Sequence, residues 1–520
     1  MTHFASAPIE VKLIDAICQP YETAVGAART CYSSKGVVYP DEVSKTKKAR
    51  AVRDRIASST LLAGHLTTRQ HATFVFAVSN LSRAAVWSFL HSHPFYNSEQ
   101  VSQRYVEVKT GHFAVPKMKP AALEIYNAAI QRQQEAYLAL IDALAPAIER
   151  EFHAVFPARK KRPERWERTL RRKAYETARY VLPVAAHTYL YHTISALTLI
   201  RYARLCEHFD APTEQRELVR KMTEAVMEID PLFERELDDP IPLESTPEHA
   251  FLSERSAAPG DPAQFTRRFD KRLNGRASAL LSWASNGEAV VAEAARGILG
   301  AAPEQLPDEE ALRLLLDPSR NRYYEETMNV HTLSKLSRAM NHTHYTFAKK
   351  LSHTADSQNQ RHRMTPGSRP VLSAHYTGEP DAVPPRLFSK CPPAQEIYDR
   401  ANADAYESVN RLLEMGVPDE FAFYLLPNGH AVRLIESGSL MDFTHKWRTR
   451  LCYTAQEEIF HASVDEVLQV QEAHPTIGRH LHAPCWYRQR SDCAPFCPEG
   501  DRFCGIPVWK LSVQQFDRSL

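Results

Sequence analysis

The sequence predicts an α+β protein made of two similar domains in tandem, each helix-rich with a small sheet. Three observations point that way: a length of 520 residues, a set of phrases that occurs twice in the same order, and helical periodicity interleaved with short β-rich runs. A chain of this length exceeds what one hydrophobic core usually organises. Its 43% hydrophobic and 24% charged residues are close to the soluble globular average.

From Ala121 the phrase EIYNAAIQRQQEAYLALIDALAPAIEREF spaces its apolar residues as an amphipathic helix does, and AQEIYDRANADAYESVNRLLEMG repeats the texture. Each is followed by a phrase ending in a leucine-proline pair, ETARYVLP at Glu176 to Pro183 and EFAFYLLP at Glu420 to Pro427. Earlier in each half QHATFVF is echoed by NHTHYTF, and LSRAAVWSFLHSH (Leu81 to His93) by LSHTADSQNQRHR (Leu351 to Arg363). Phe74 to Val78 and Val106 to Pro116 read as strands of a small sheet.

Tyr180 to Ile200 is the longest apolar stretch. Its polar interruptions His187, Thr188, His192 and Thr193 would be costly in hydrocarbon, so it is expected as a buried helix and not as a membrane span. Asp230 to Gln264 crowds prolines and acidic residues too closely for regular structure and reads as the join. The expected organisation is a first domain over 1–232, a Pro-rich acidic linker over 233–265, a second domain over 266–484 and a Cys-rich tail over 485–520.

The N-terminal stretch has no basic region followed by an apolar block, and nine cysteines are too sparse for a disulfide scaffold; both suit a cytoplasmic address. The formal net charge is only +2, but Arg159 to Lys173 is strongly basic. This run reads first as a solvated helix face and second as an attractor of nucleotides or RNA. No base-reading motif supports sequence-specific nucleic-acid binding. In the tail, Cys485, Cys493, Cys497 and Cys504 fall within twenty residues. Four thiolates can close a zinc site with His480 or His482 as substitutes, or hold an iron–sulfur cluster, but the intervals are not those of a C-x₂-C pair and unligated thiols are the plainer reading.

HLTTRQHATFVFAVSNLSRA followed by NSEQVSQRYV resembles the flavin-dependent thymidylate synthases around their signature RHRxxSxNxxSxR. Ser102, Gln103 and Arg104 match its SxR end, while His91, Ser92 and His93 stand at the RHR position. The second half reverses this. Arg361, His362 and Arg363 supply RHR with Gln358 three residues before it, and Pro366, Ser368, Val371 and Ser373 occupy the later signature positions. The family's arginine before the LP pair is Arg179 in the first half and Phe423 in the second; its late arginine before AQxEI is Arg450. In the first half Cys206 or Arg204 stands at that last position.

The resemblance implies a pair of thymidylate-synthase-complementing-protein-like domains. It also implies methylation of dUMP to dTMP with methylenetetrahydrofolate, FAD and NADPH. Applied residue by residue, it assigns nucleotide binding to Ser102, Arg104, Arg179, Gln358 and Arg361, polarisation of the uracil to Arg450, and flavin binding to Arg361, His362, Arg363 and His342. The two halves keep complementary sets. This points to one composite site per chain with the mirror-image site abandoned, and to a homodimer forming a pseudo-tetramer. The family's NAR phrase, which helps hold the flavin, is replaced by Ser195-Ala196-Leu197 and Ser439-Leu440-Met441. Rival readings are a flavin enzyme acting on another pyrimidine, a silent pyrimidine-nucleotide binder, and an RNA-binding protein using the basic run.

Overall fold

The computed structural model describes residues 3–17, 19–91, 95–257, 261–326 and 328–520. Four strands form the sheet of the first half: β1 (Glu10–Ala16), β2 (Thr73–Ser82), β3 (Asn97–Gln100) and β4 (His187–Ser195), in the order β1-β2-β4-β3 with every pairing antiparallel. The second half repeats it with β5 (Ser278–Trp283), β6 (His344–Ser352), β7 (Gly367–Ser368) and β8 (Ala431–Ser439), in the order β5-β6-β8-β7. β2 forms because aromatic and β-branched residues alternate: Phe74, Phe76 and Val78 turn inward onto the core.

Tyr180 to Ile200 is not one buried helix. A 3₁₀ turn (Arg179–Val181) and the Leu-Pro pair lead into β4, and only Ala196–Arg204 is helical. Period-two burial explains it: Thr188, Leu190, His192 and Ile194 face inward while Tyr189 and Tyr191 face solvent. Val106 to Pro116 is not a strand either. Gly111 turns the chain at φ +83°, and among the described residues its β-pairing is limited to the isolated bridges Phe113 to Ala186 and Phe4 to Pro116. The acidic join contains a helix, Pro247–Ala257, despite its prolines. Pro247 occupies the first helical position, where no N–H is needed, and the Thr246 hydroxyl accepts from the His249 N–H at 3.3 Å. Residues 265–316 supply β5 and the helices Gly287–Leu299 and Asp308–Leu316, whose apolar faces enter the second half's core.

The halves meet about a pseudo-two-fold axis. Their long helices, Pro120–Val155 and Pro392–Glu414, pack together, and the two Leu-Pro phrases pair across the axis. Val184 N–H donates to Leu426 O at 2.9 Å and Asn428 N–H to Leu182 O at 2.7 Å. One cluster of buried side chains runs through both halves, from Trp87, Phe113 and Tyr126 to Leu351, Tyr406 and Phe423. Among the described residues no helix is long and apolar enough to cross a membrane.

Candidate active site at the junction of the two halves

Because the LP phrases pair across the axis, each brings the residues just before it to the other half. Arg179 ends the helix Glu167–Ala178 and faces Asn428, whose side-chain amide donates to the Arg179 carbonyl at 3.0 Å and to Gln103 at 3.1 Å. From the first half Ser102 and Arg104 follow β3; from the second come Gln358 in the helix His353–Asn359, Arg361 just beyond it, and Arg450 at the end of the helix Leu440–Arg450. All six residues line one cavity of about 220 Å³. Arg83, Gln100, Gln103, Thr354, Ser357 and Asn428 are also in its wall.

The cavity is cationic and mostly withdrawn from water. Among the described residues, Arg83, Arg179 and Arg450 have no carboxylate within salt-bridge distance, whereas Arg104 has Glu176 at 2.8 Å and Arg361 has Glu99 at 2.7 Å. Burial, with Arg179 nearby, depresses the Arg83 guanidinium to about 9, and burial beside Arg104 and Arg361 depresses Arg450 to about 10. Glu176, although buried, is held down to about 2 by Arg104 and Lys173. Among the described residues, several buried donors at this cavity have no hydrogen-bond partner: Arg83 Nε, Gln103 Nε2, Arg179 Nε and Nη2, and Gln358 Nε2. Unpaired donors and uncompensated positive charge together match an anionic, polar ligand.

Arg450 is aimed by the segment containing RHR. Its Nε donates to His362 Nε2 at 2.8 Å and its Nη2 to Gln358 O at 3.1 Å. Accepting at Nε2 leaves the His362 proton on Nδ1, and burial next to Arg450 keeps the ring neutral by pushing its pKa well below the ordinary value. Arg361 and Arg363 cross to β3 of the other half, where Arg361 pairs with Glu99 at 2.7 Å and Arg363 donates to Asn97 at 3.0 Å and to the Tyr96 carbonyl. Between them and β3 lies a second cavity of about 260 Å³, sharing Gln100 and Arg361 with the first. Its cationic forks and the ring of Tyr96, 5.0 Å from the Arg363 guanidinium, are a donor set that suits the phosphates and rings of a flavin nucleotide. His342 is not brought to either cavity: it is exposed at the start of β6, opposite the end that carries Gln358. The serines replacing the NAR phrase cap their own helices, Ser195 through Thr198 N–H at 3.2 Å and Ser439 through Asp442 N–H at 3.3 Å.

The mirror-image location is filled. Trp87, at the position corresponding to Ser357, donates to Asp356 at 2.8 Å and packs against His353, and Phe423 packs on Tyr376. Arg369 closes on the same Asp356 at 2.9 Å. His91 is buried 3.8 Å from Asp356 with its pKa lowered to about 3 by desolvation and Arg369. Ser92 and His93 lie outside the described residues.

The expected metal set of Cys485, Cys493, Cys497 and Cys504 gains no support from the structure: among the described residues no group of three or more His, Cys, Asp or Glu is placed to hold an ion. Cys485 points into the apolar core, and burial raises its thiol to about 12 and that of Cys504 to about 11, which keeps both protonated. The basic run is not wholly a solvated face, since Arg159, Arg172 and Lys173 line a third cavity. Of the residues that sequence reasoning missed, Asn428 had a usable signal, directly following the second LP pair.

A flavin-dependent thymidylate synthase of Clostridium tetani is 27% identical over 226 residues, covering 43% of this chain and 84% of that one. The Geobacter sulfurreducens protein of the same name is 28% identical over 237 residues, covering 44% and 86%. Among solved structures, a UMP/dUMP methylase PolB from Streptomyces cacaoi bound with 5-Br dUMP matches with a TM-score of 0.30 at 18% identity, over 44% of this chain and 94% of that chain. The family model of the thymidylate synthase complementing protein matches residues 12–232 and again 279–476, most of the chain, so this protein belongs to that family and carries two copies of its domain.

Proposed function

We propose that the chain methylates dUMP reductively to dTMP at one composite site shared by its two halves, with methylenetetrahydrofolate as carbon donor and FAD and NADPH as redox partners. The observation that carries this reading is the convergence of five guanidiniums from both halves, Arg83, Arg104, Arg179, Arg361 and Arg450, on a cavity where only Arg104 and Arg361 have carboxylate partners among the described residues. Ser102, Arg104 and Arg179 take the 5′-phosphate, using the unpaired Arg179 Nε and Nη2. Gln358 and Arg361 bind the remainder of the nucleotide. Arg450 is the catalytic residue, its charge stabilising the electron density that collects on the uracil carbonyls as C5 becomes nucleophilic. His362 holds Arg450 in place, and Arg361, His362 and Arg363 hold the flavin. When bound, the flavin supplies the hydride that reduces the transferred methylene to methyl.

One observation favours a second reading, nucleotide binding without turnover: the phrase that would help hold the flavin is spent on capping by Ser195 and Ser439. The deciding experiment is tritium release from dUMP labelled at C5, with FAD, NADPH and methylenetetrahydrofolate supplied and Arg450→Ala as control. Release that disappears in the control supports the synthase. A folded protein that binds dUMP and releases nothing supports the silent binder.

A further inference from the structure

The first half carries chain that the second half lacks. Its long helix has 36 residues against 23, and the basic run follows it, whereas the second half passes through Gly416 and one short helical turn, Asp419–Ala422, straight to its LP phrase. The C-terminal tail is a second addition. These two pieces meet and enclose a cavity of about 930 Å³, near the upper end of typical ligand pockets of roughly 300–1,000 Å³.

The lining is built for a multiply charged anion that carries a ring. Eight Lys or Arg side chains face three Asp or Glu, a net side-chain charge of +5. All three acids are already engaged, Glu176 with Arg104 and Lys173, Glu151 with Lys390, and Asp517 with Arg386 at 3.6 Å. Among the described residues Arg172 and Arg502 have no carboxylate partner. Arg518 is the most telling. It is only 9% exposed, its Nη1 is anchored on the carbonyls of Tyr453 and Ala455 and its Nε on Leu520 O at 3.1 Å, and among the described residues its Nη2 has no hydrogen-bond partner. Aromatic rings form the opposite wall: Arg159 lies 3.6 Å from the centroid of Phe156 and 4.1 Å from that of Trp166, which fixes these planes.

We propose that this cavity is a second binding site, separate from the composite site, for a nucleoside polyphosphate. Arg172, Lys173, Arg502 and Arg518 take the phosphate chain, and the base lies against Trp166. A single phosphate would leave most of the surplus charge uncompensated, whereas a triphosphate matches it; the rings give the base a stacking surface. Arg104 borders both cavities and is therefore left untouched in the test.

The test uses the full chain, ATP and inorganic tripolyphosphate as probes, and tryptophan fluorescence as readout. ATP is expected to quench a component that Trp166→Phe removes, and to bind more tightly than tripolyphosphate. Arg518→Gln and Arg172→Gln are each expected to weaken ATP about tenfold, the loss of one charge-assisted hydrogen bond, with dUMP binding unchanged. Arg172 has no ion pair among the described residues and overlies only the Tyr105 ring, at 5.7 Å, so its variant serves if Arg518→Gln fails to fold. Absence of quenching, equal affinity for the two probes, affinity unmoved by the substitutions, or tighter binding of a short oligouridylate than of ATP would overturn the proposal. Loss of dUMP binding in Arg179→Gln with ATP binding intact separates this site from the composite one.

Discussion

Tyr180 of the first half donates its hydroxyl to Glu458 of the second at 2.7 Å, and its counterpart Tyr424 returns the bond to Glu214 at 2.5 Å. Each glutamate also accepts from the backbone N–H and hydroxyl of a serine that ends a strand, Ser82 with Glu214 and Ser352 with Glu458. Glu214 and Glu458 therefore tie a sheet of their own half to the LP phrase of the other, and these phrases position Arg179 and Asn428. Tyr180→Phe leaves a buried carboxylate short of one donor, at a cost of about 1.5–3 kcal/mol. Urea denaturation of Tyr180→Phe and Tyr424→Phe should show similar losses, and only Tyr180→Phe, being adjacent to Arg179, should also weaken dUMP. Equal effects on dUMP would show that the two crossings position the site alike.

Nucleotide stoichiometry should be one per chain. Trp87 and Phe423 occupy the mirror location as buried core, with relative exposures of 1% and 7%, and Asp356 there is already bound by Arg369. Calorimetry should give one dUMP site. It should be lost in Arg179→Gln, where removing a buried charged donor is worth about 2–5 kcal/mol, and unaffected by Phe423→Leu. Two sites per chain would refute the division between the halves.

The repeat was legible because it lives in short phrases at matched spacing, and so was the complementary retention of Arg104 and Arg179 in one half with Arg361 and Arg450 in the other. Arg83 was not: it sits inside LSRAAVWSFL, where a lone arginine in an apolar run gives no hint that a distant LP phrase will face it. β4 was lost inside Tyr180 to Ile200 because a long, mostly apolar run hides the change from period two to period 3.6. The cysteines were legible only in part: Cys485, Cys497 and Cys504 act on one another's thiols together with Cys452, which lies far away in the chain, while Cys493 does not act on Cys485.

Beneath His362 lies a second charged cluster, fully buried and internally balanced. Lys349 pairs with Glu436 at 2.8 Å and with Glu466 at 2.5 Å, Lys446 reaches both acids, and Asn359 and Thr365 donate to Glu436 at 2.9 and 3.1 Å. Removing one member strands the opposite charge. Glu436→Gln should cost about 3–5 kcal/mol, visible as a large fall in Tm, and partial recovery is expected when Lys446→Met is added, because the pair removes one charge of each sign. A double variant no more stable than the single one would mean that packing, not charge balance, sets the cost.

Glu176 gives the protein an acid limit that a single substitution can isolate. Its folded-state pKa is about 2 against an ordinary 4.5, because Arg104 and Lys173 outweigh the penalty of burial. A depressed carboxylate stabilises the fold above its unfolded pKa and ceases to do so as pH falls through the folded one. The contribution is roughly 3 kcal/mol at neutral pH and should decline between about pH 5 and pH 2. Glu176→Gln lacks this contribution, so its stability deficit relative to the parent, measured by urea denaturation from pH 7 downward, should shrink below about pH 5. A deficit that stays constant to pH 3 would mean that the amide's lost packing and hydrogen bond, and not the ion pair with Arg104, account for the difference.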